Sequence, residues 1–298
     1  MLDWNTPKLS DKEWIEKCVK EAQYIGSDAA FANIYLLRSK YNIKVTYYKD
    51  LLIRYYEGLG NRKGYTFPLG RKDVLSALYA IEQDAKEMNR PLEFCFVTEE
   101  QKEILENTFA GRTESSSDAG DYDYIYGQPE LSLLGGRTYH KKKNHVSKFK
   151  RTYEDYMFCE IGNGNLDDVM LIEDEWYYDR LQQGDTSAMK EYEAIREAVD
   201  NFEELSLSGG IIYANNVPVA MTIASYINDA AVDIHFEKAV GEYAVNGGFA
   251  AINQMYASTL KDVKYINREE DINIPGLRKA KESYHPKFML KKYGVRVK

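Results

Sequence analysis

The chain has 298 residues, 44% of them hydrophobic and 29% charged, with a formal net charge of −8. This is a globular composition, long enough for one large or two ordinary domains, and its acidity argues against a general nucleic-acid binder. Met1 to Lys8 lacks a basic and then apolar leader, and no later run approaches the roughly 18 apolar residues of a membrane span, so a cytoplasmic chain without integral membrane association is expected.

Taken in order, the chain opens on a helical segment, Asp11 to Tyr24, with Trp14, Ile15, Cys18 and Val19 on one face, and a second over Ala29 to Lys40. Ile43 to Tyr48 and Leu51 to Glu57 flank Lys49-Asp50 and read as a β-hairpin. An amphipathic helix over Lys72 to Met88 follows, then a strand over Leu92 to Val97 and a helix over Glu99 to Phe109. Thr98 and Gln101 have capping-box spacing at that helix start. Gly111 to Asp123, rich in Ser, Gly and Asp, reads as a linker, which places a boundary between units 1–120 and 121–298.

In the second unit a short strand, Tyr124 to Tyr126, precedes a helix from Pro129, a basic helix over about Lys141 to Tyr156 and an acidic helix pair running to Phe202. Gly210 to Ala214 and Val217 to Tyr226 form a second hairpin around Asn215-Asn216. Val232 to Phe236 is a strand, Gly247 to Leu260 a helix, Val263 to Asn267 a strand and Pro275 to Ser283 the closing helix, with Pro at its first position. Hairpin, strand, helix, strand, helix is therefore used twice. The interval from the first hairpin strand to the late strand is similar in both copies, Val45 to Leu92 and Ile211 to Val263.

Three stretches carry a family resemblance: Tyr139 to Phe149 (YHKKKNHVSKF), Tyr265 to Asp271 (YINREED) and Pro275 to Tyr284 (PGLRKAKESY). They resemble the uncharacterised family grouped with the phosphatidylglycerol lysyltransferase C-terminal domain (DUF2156), and the resemblance spans nearly the whole chain. It implies an α+β fold of two tandem GNAT-like units, mixed sheets flanked by helices. It also implies an acyltransferase that moves an acyl or aminoacyl group from aminoacyl-tRNA or an acyl thioester to an amine or hydroxyl. The first copy has Thr-Glu-Glu-Gln-Lys where the second has Asn-Arg-Glu-Glu-Asp, and it lacks the Pro-Gly-Leu-Arg-Lys helix start, so the cleft is expected in the second unit. Two departures bear on that implication. The lysyltransferases carry a transmembrane flippase, and no apolar span occurs here. Acetyl-CoA enzymes start the central helix with a basic residue and a glycine loop that cradles pyrophosphate. Asn246, Gly247 and Gly248 supply the bare backbone here, as the candidate acyl-CoA cradle, without the basic residue.

Arg137 to Arg151 holds seven Lys/Arg and no acid. Lys141, Lys142, Lys143 and Asn144 within it suit a polyanion such as a tRNA acceptor stem or a phosphate-bearing small molecule; the alternative is a solvated face neutralised by the acidic segment Asp167 to Asp179. In Asp233-Ile234-His235-Phe236-Glu237 the strand period of two places Asp233, His235 and Glu237 on one face. His235 or Glu237 there is a candidate base for an incoming amine. Asn267 and Arg268 are candidates to orient a carbonyl or hold its oxyanion, and Glu269 or Asp271 to hold an amine. Arg278 and Lys281, three apart on a helix, are a candidate phosphate clamp. The alternative at this corner is a set of internal salt bridges. Cys18, Cys95 and Cys159 lie far apart without a Cys-x-x-Cys pair, so structural thiols and no metal site are expected. The competing function is a non-catalytic anion- or phosphate-binding module on the same fold, in which His235, Asn267 and Arg268 fail to converge.

Overall fold

The computed structural model describes residues 2–185 and 188–298. The strands are β1 (Lys44–Tyr48), β2 (Leu51–Glu57), β3 (Lys63–Thr66), β4 (Leu92–Val97), β5 (Thr113–Ser117), β6 (Asp123–Gly127), β7 (Met157–Glu160), β8 (Ser208–Ala214), β9 (Val217–Asn228), β10 (Ala231–Ala239), β11 (Tyr265–Asn267), β12 (Phe288–Leu290) and β13 (Tyr293–Val297). The α-helices are α1 (Lys12–Ala22), α2 (Phe31–Leu36), α3 (Val74–Glu87), α4 (Glu99–Thr108), α5 (Gln128–Leu133), α6 (His140–Thr152), α7 (Leu166–Gln182), α8 (Ala188–Asp200), α9 (Gly241–Val245), α10 (Gly248–Thr259) and α11 (Pro275–Glu282). Among the described residues no helix is long and apolar enough to cross a membrane. The chain forms two compact units: residues 2–124, 269–279 and 288–298, and residues 125–268 and 280–287.

The first unit is built on a mixed sheet in the order β1-β2-β3-β4-β13-β5. Lys49 and Asp50 both take positive φ, the geometry of a two-residue turn whose twist matches the strands it joins. β3 and β4 are parallel, and their crossover is α3, capped by Asp73 accepting from the Leu75 amide at 2.9 Å. Thr98 and Gln101 form the reciprocal capping box that their spacing predicts. Leu51, Ile53, Tyr65, Leu78, Ile81, Phe94, Leu105 and Val295 close the core. Cys95 lies buried in β4, and burial pushes the Cys18 thiol up to about 11, as for inert structural thiols.

In the second unit the sheet contains β6-β11-β10-β9-β8-β7 in that order. Asn215 and Asn216 make the same positive-φ turn, and α10 is the crossover between parallel β10 and β11. Phe149, Ile212, Val219, Ala220, Ala251, Ile252 and Met255 pack together beneath α6 and α10.

Two expectations are corrected. Gly111 to Asp123 is not a linker: Thr113 to Ser117 is edge strand β5, antiparallel to β13, and it is polar because four of its five residues are exposed. Nor does the chain divide once near residue 120, because a strand is exchanged between the two copies. β1-β2-β3-β4 is completed by antiparallel β13, from the end of the chain, and β8-β9-β10-β11 by antiparallel β6, from before the second copy. Each sheet thus takes its fifth strand from the segment that follows the other copy's repeat.

Residues 166–200 contain eleven acidic and three basic residues, which equals the net charge of the whole chain. One of the acids, Glu173 of α7, is buried, with Oε2 4.0 Å from the Lys238 ammonium. Burial pushes its carboxyl up to about 7. Between about pH 4 and 7 the folded chain then binds a proton that the unfolded chain has lost, so this group makes stability fall as pH rises across that window. Glu173→Gln is expected to flatten that fall in denaturant titrations at pH 4.5, 6 and 8. Parallel pH dependences for variant and parent would refute it.

Candidate functional site

β10 sets the geometry. Asp233 stands opposite Ser225 and Glu237 opposite Thr222, so five residues of β10 face four of β9, with the register shift between Ile234 and Phe236. Ser225 and Thr222 are three apart on β9 and point to opposite faces; Asp233 and Glu237 therefore do too. The period-two expectation for Asp233, His235 and Glu237 fails at this bulge.

On one face, His235 Nε2 lies 2.8 Å from Ser225 Oγ and its Nδ1 3.4 Å from Asp233 Oδ2. Asn267, opposite Asp233 in the parallel β10/β11 pairing, is fully buried on the same side. All four side chains are buried, which is the condition of a hydrogen-bonded core network.

On the other face, Glu237 Oε1 accepts from Arg268 Nη2 at 2.7 Å and its Oε2 from Asn253 Nδ2 of α10 at 2.9 Å. The Arg268 guanidinium lies 4.6 Å from the centre of the Tyr284 ring and 5.7 Å from that of Tyr126. Its second arm, Nη1, is buried without a hydrogen-bond partner, as is Asn253 Oδ1. Arg268 and Glu237 therefore come together, whereas His235 and Asn267 turn away from them.

α6 delivers a further cation to this face. Lys142, Val146, Phe149 and Tyr153 follow the helical spacing i, i+4, i+7, i+11, and the last three are buried. Lys142, half-buried on that stripe, places Nζ 3.8 Å from the centre of the Tyr284 ring. Burial, reinforced by the charge of Arg268 and only partly offset by Glu237, brings its ammonium down to about 8. Lys141, Lys143 and Asn144 are exposed, and Lys141 and Lys143 make no ion pair among the described residues. The acidic helices therefore do not neutralise this end of α6.

The corner after β11 belongs to the first unit and is internally paired there. Glu269 accepts from Asn33 at 2.8 Å and Glu270 pairs with Arg62 at 2.8 Å. Asp271, fully buried, takes both arms of Arg278 at 2.8 Å and the Tyr124 hydroxyl at 2.6 Å. The expected phosphate clamp is thereby corrected: Arg278 is held by Asp271, and Lys281, in the second unit, donates to the Arg268 carbonyl. Arg278 and Tyr124 hold the Asp271 carboxyl down at about 2. Its contribution to stability is present above about pH 4, the ordinary carboxyl range, and is lost as pH falls through its folded value. Arg278→Gln is expected to raise the pH at which acid unfolding begins. An unmoved acid limb in a circular-dichroism titration would count against it.

The glycine cradle is closed. Gly247 has φ +102° at the start of α10, and a Cβ there would meet the His145 carbonyl oxygen at 2.3 Å; Asn246 Nδ2 donates to the Tyr153 hydroxyl at 2.8 Å. The bare backbone admits α6, not a pyrophosphate. Asn253, Tyr126, Tyr284 and Ser225 were not expected as site residues. The available signal was Asn253, a polar residue within the otherwise apolar inward side of α10, where Ala250, Ala251, Ile252 and Tyr256 are also buried.

The family described as phosphatidylglycerol lysyltransferase, C-terminal, matches residues 20–296. A conserved protein of unknown function from Bacteroides thetaiotaomicron VPI-5482 is similar in structure, with TM-score 0.94, 30% identity and full coverage of both chains. L-PGS from Bacillus licheniformis is similar with TM-score 0.67 and 14% identity over 96% of this chain and 92% of that one. FemX is similar with TM-score 0.62 and 9% identity over 100% and 98%. The last two likenesses concern the fold, an α+β architecture with two mixed sheets of the tandem GNAT type. No curated protein matches the chain in sequence.

Proposed function

The chain belongs to the phosphatidylglycerol lysyltransferase C-terminal family, and from that premise we propose that it transfers an aminoacyl group from aminoacyl-tRNA to an amine or hydroxyl acceptor, at the face shared by Arg268, Glu237 and Lys142. The observation that carries this reading is the Arg268 guanidinium, one arm fixed by Glu237 and the other, Nη1, buried without a partner. A preorganised, water-shielded N–H is the group that stabilises the oxyanion formed when an ester carbonyl is attacked, because it needs no reorganisation as charge develops. Glu237, held at both oxygens, orients Arg268 and moves no proton.

Two further features favour a tRNA ester over an acyl-CoA thioester. The glycine backbone before α10 is occupied by α6, and Lys141 and Lys143 present unpaired charge to solvent on the helix that carries Lys142. Phosphate contacts of that kind weaken steeply with salt through counterion release. The test is incubation with a pool of radiolabelled aminoacyl-tRNAs and a panel of amine and hydroxyl acceptors, with tRNA binding measured at two salt concentrations. Absence of turnover for every donor and acceptor, with or without salt-sensitive binding, would defeat the proposal.

The turning of His235 and Asn267 away from Arg268 favours a second reading, a non-catalytic anion-binding module that keeps the fold. Salt-sensitive binding with no turnover for any donor and acceptor is its expected signature.

A further inference from the structure

Acyl transfer needs a group to take the proton of the attacking amine or hydroxyl, and neither carboxylate nor imidazole is free for it on the Arg268 face. Glu237 has both oxygens engaged, and His235 lies on the opposite face of β10, against Ser225. We infer that the proton acceptor is the Lys142 side-chain amine, an inference that rests on the transfer reading above. It stands first on position: of the seven cations between Arg137 and Arg151, Lys142 is the one carried to the Tyr284 ring beside Arg268. It stands second on surroundings. The charged groups facing it are Arg268 from the end of β11 and Glu237 from β10, the latter already paired with Arg268; on its own helix Lys141 and Lys143 point to solvent and His145 is exposed. No carboxylate is left to hold the ammonium charged. Desolvation beside a guanidinium favours the neutral amine, and the lowered value near 8 agrees. At pH 7 that raises the neutral fraction to about a tenth, against well under a thousandth for an ordinary lysine.

The step balances without an external reactant. Lys142, neutral, takes the proton as the acceptor's nitrogen or oxygen bonds to the ester carbonyl carbon, and Arg268 Nη1 donates to the carbonyl oxygen. The carbon–oxygen bond to the ribose then breaks, and the protonated Lys142 returns the proton to the leaving ribose oxygen. This gives the aminoacyl acceptor and free tRNA, with lysine regenerated.

The test has two arms. Trace acetic anhydride labelling of the full chain across pH 6 to 11, read by mass spectrometry, is expected to show Lys142 titrating near 8, and titration in the ordinary lysine range would overturn the inference. In turnover assays, Lys142→Arg, which keeps the cation, is expected to lower kcat by about 100-fold or more with KM little changed, the scale of lost general-base catalysis. Lys142→Cys in a Cys159→Ser background, alkylated with 2-bromoethylamine, restores an amine that is intrinsically more acidic. Activity should return with the ascending inflection of the kcat/KM profile, where the general base loses its proton, moved to lower pH; an unmoved inflection overturns the assignment. Turnover that survives Lys142→Arg overturns this assignment alone, whereas absence of turnover in the parent chain overturns the transfer reading and the assignment with it.

Discussion

Lys292→Met is expected to lower the unfolding free energy by about 3–5 kcal/mol, the cost of removing one partner from a buried ion pair. Lys292 is 3% exposed, and its Nζ lies 2.7 Å from Asp123 Oδ1, 3.1 Å from Asp28 Oδ1 and 3.2 Å from Ser27 Oγ. Asp28 keeps a second cation, Arg54, at 3.0 Å, and the Tyr24 hydroxyl at 2.9 Å. Asp123, fully buried, also accepts from the amide and hydroxyl of Ser27 at 2.8 and 3.1 Å, and methionine would remove the ammonium 2.7 Å from its carboxylate. The double variant Lys292→Met, Asp123→Asn should recover part of the loss, because no net charge is then left in the core. Urea unfolding of the parent, the single and the double variant decides it, and a single-variant loss under about 1 kcal/mol would remove the argument.

Arg268→Lys is expected to cut the proposed transfer by about 100- to 1,000-fold while the chain stays folded, the scale seen when one oxyanion donor is lost. The replacement keeps a cation for Glu237 but not the planar fork whose Nη2 binds Glu237 while Nη1 remains open. Arg268→Ala is the wrong comparison, because it would leave Glu237 with Asn253 alone and confound activity with stability. The loss should fall on kcat more than on KM, since the contact is made to charge that develops during the reaction. Full activity in Arg268→Lys, with an unchanged denaturation midpoint, would move the oxyanion donor elsewhere.

The Tyr265 to His285 stretch shows how unevenly structure is written in the chain. Its strand and Pro-initiated helix were legible from local pattern, as were both hairpins, the Thr98–Gln101 cap and the repeated order of elements. Its charges were legible only as a polar corner. Asp271 chose Arg278, Glu270 chose Arg62 and Arg268 chose Glu237, 31 residues away. Partner choice among such charges depends on distances that only the folded backbone sets, because several pairings have equal merit along the sequence. Lys142 is an intermediate case. Its spacing to Val146 and Phe149 marks the inward face of a helix, but what that face meets, Tyr284 and Arg268, lies far along the chain.

By itself the sequence determined the individual elements and the double use of one supersecondary unit, because periodicity, turn chemistry and caps act over a few residues and are read directly; the family, and the fold class it implies, came from the resemblance carried by three motif stretches. Only the tertiary structure decided three things. β5, polar and exposed, is a strand because β13 pairs with it. The fifth strands are exchanged because pairing across a sheet is a non-local choice. The bulge at His235 turns Glu237 toward Arg268, because register is a property of two strands together and one extra residue reverses every side chain beyond it.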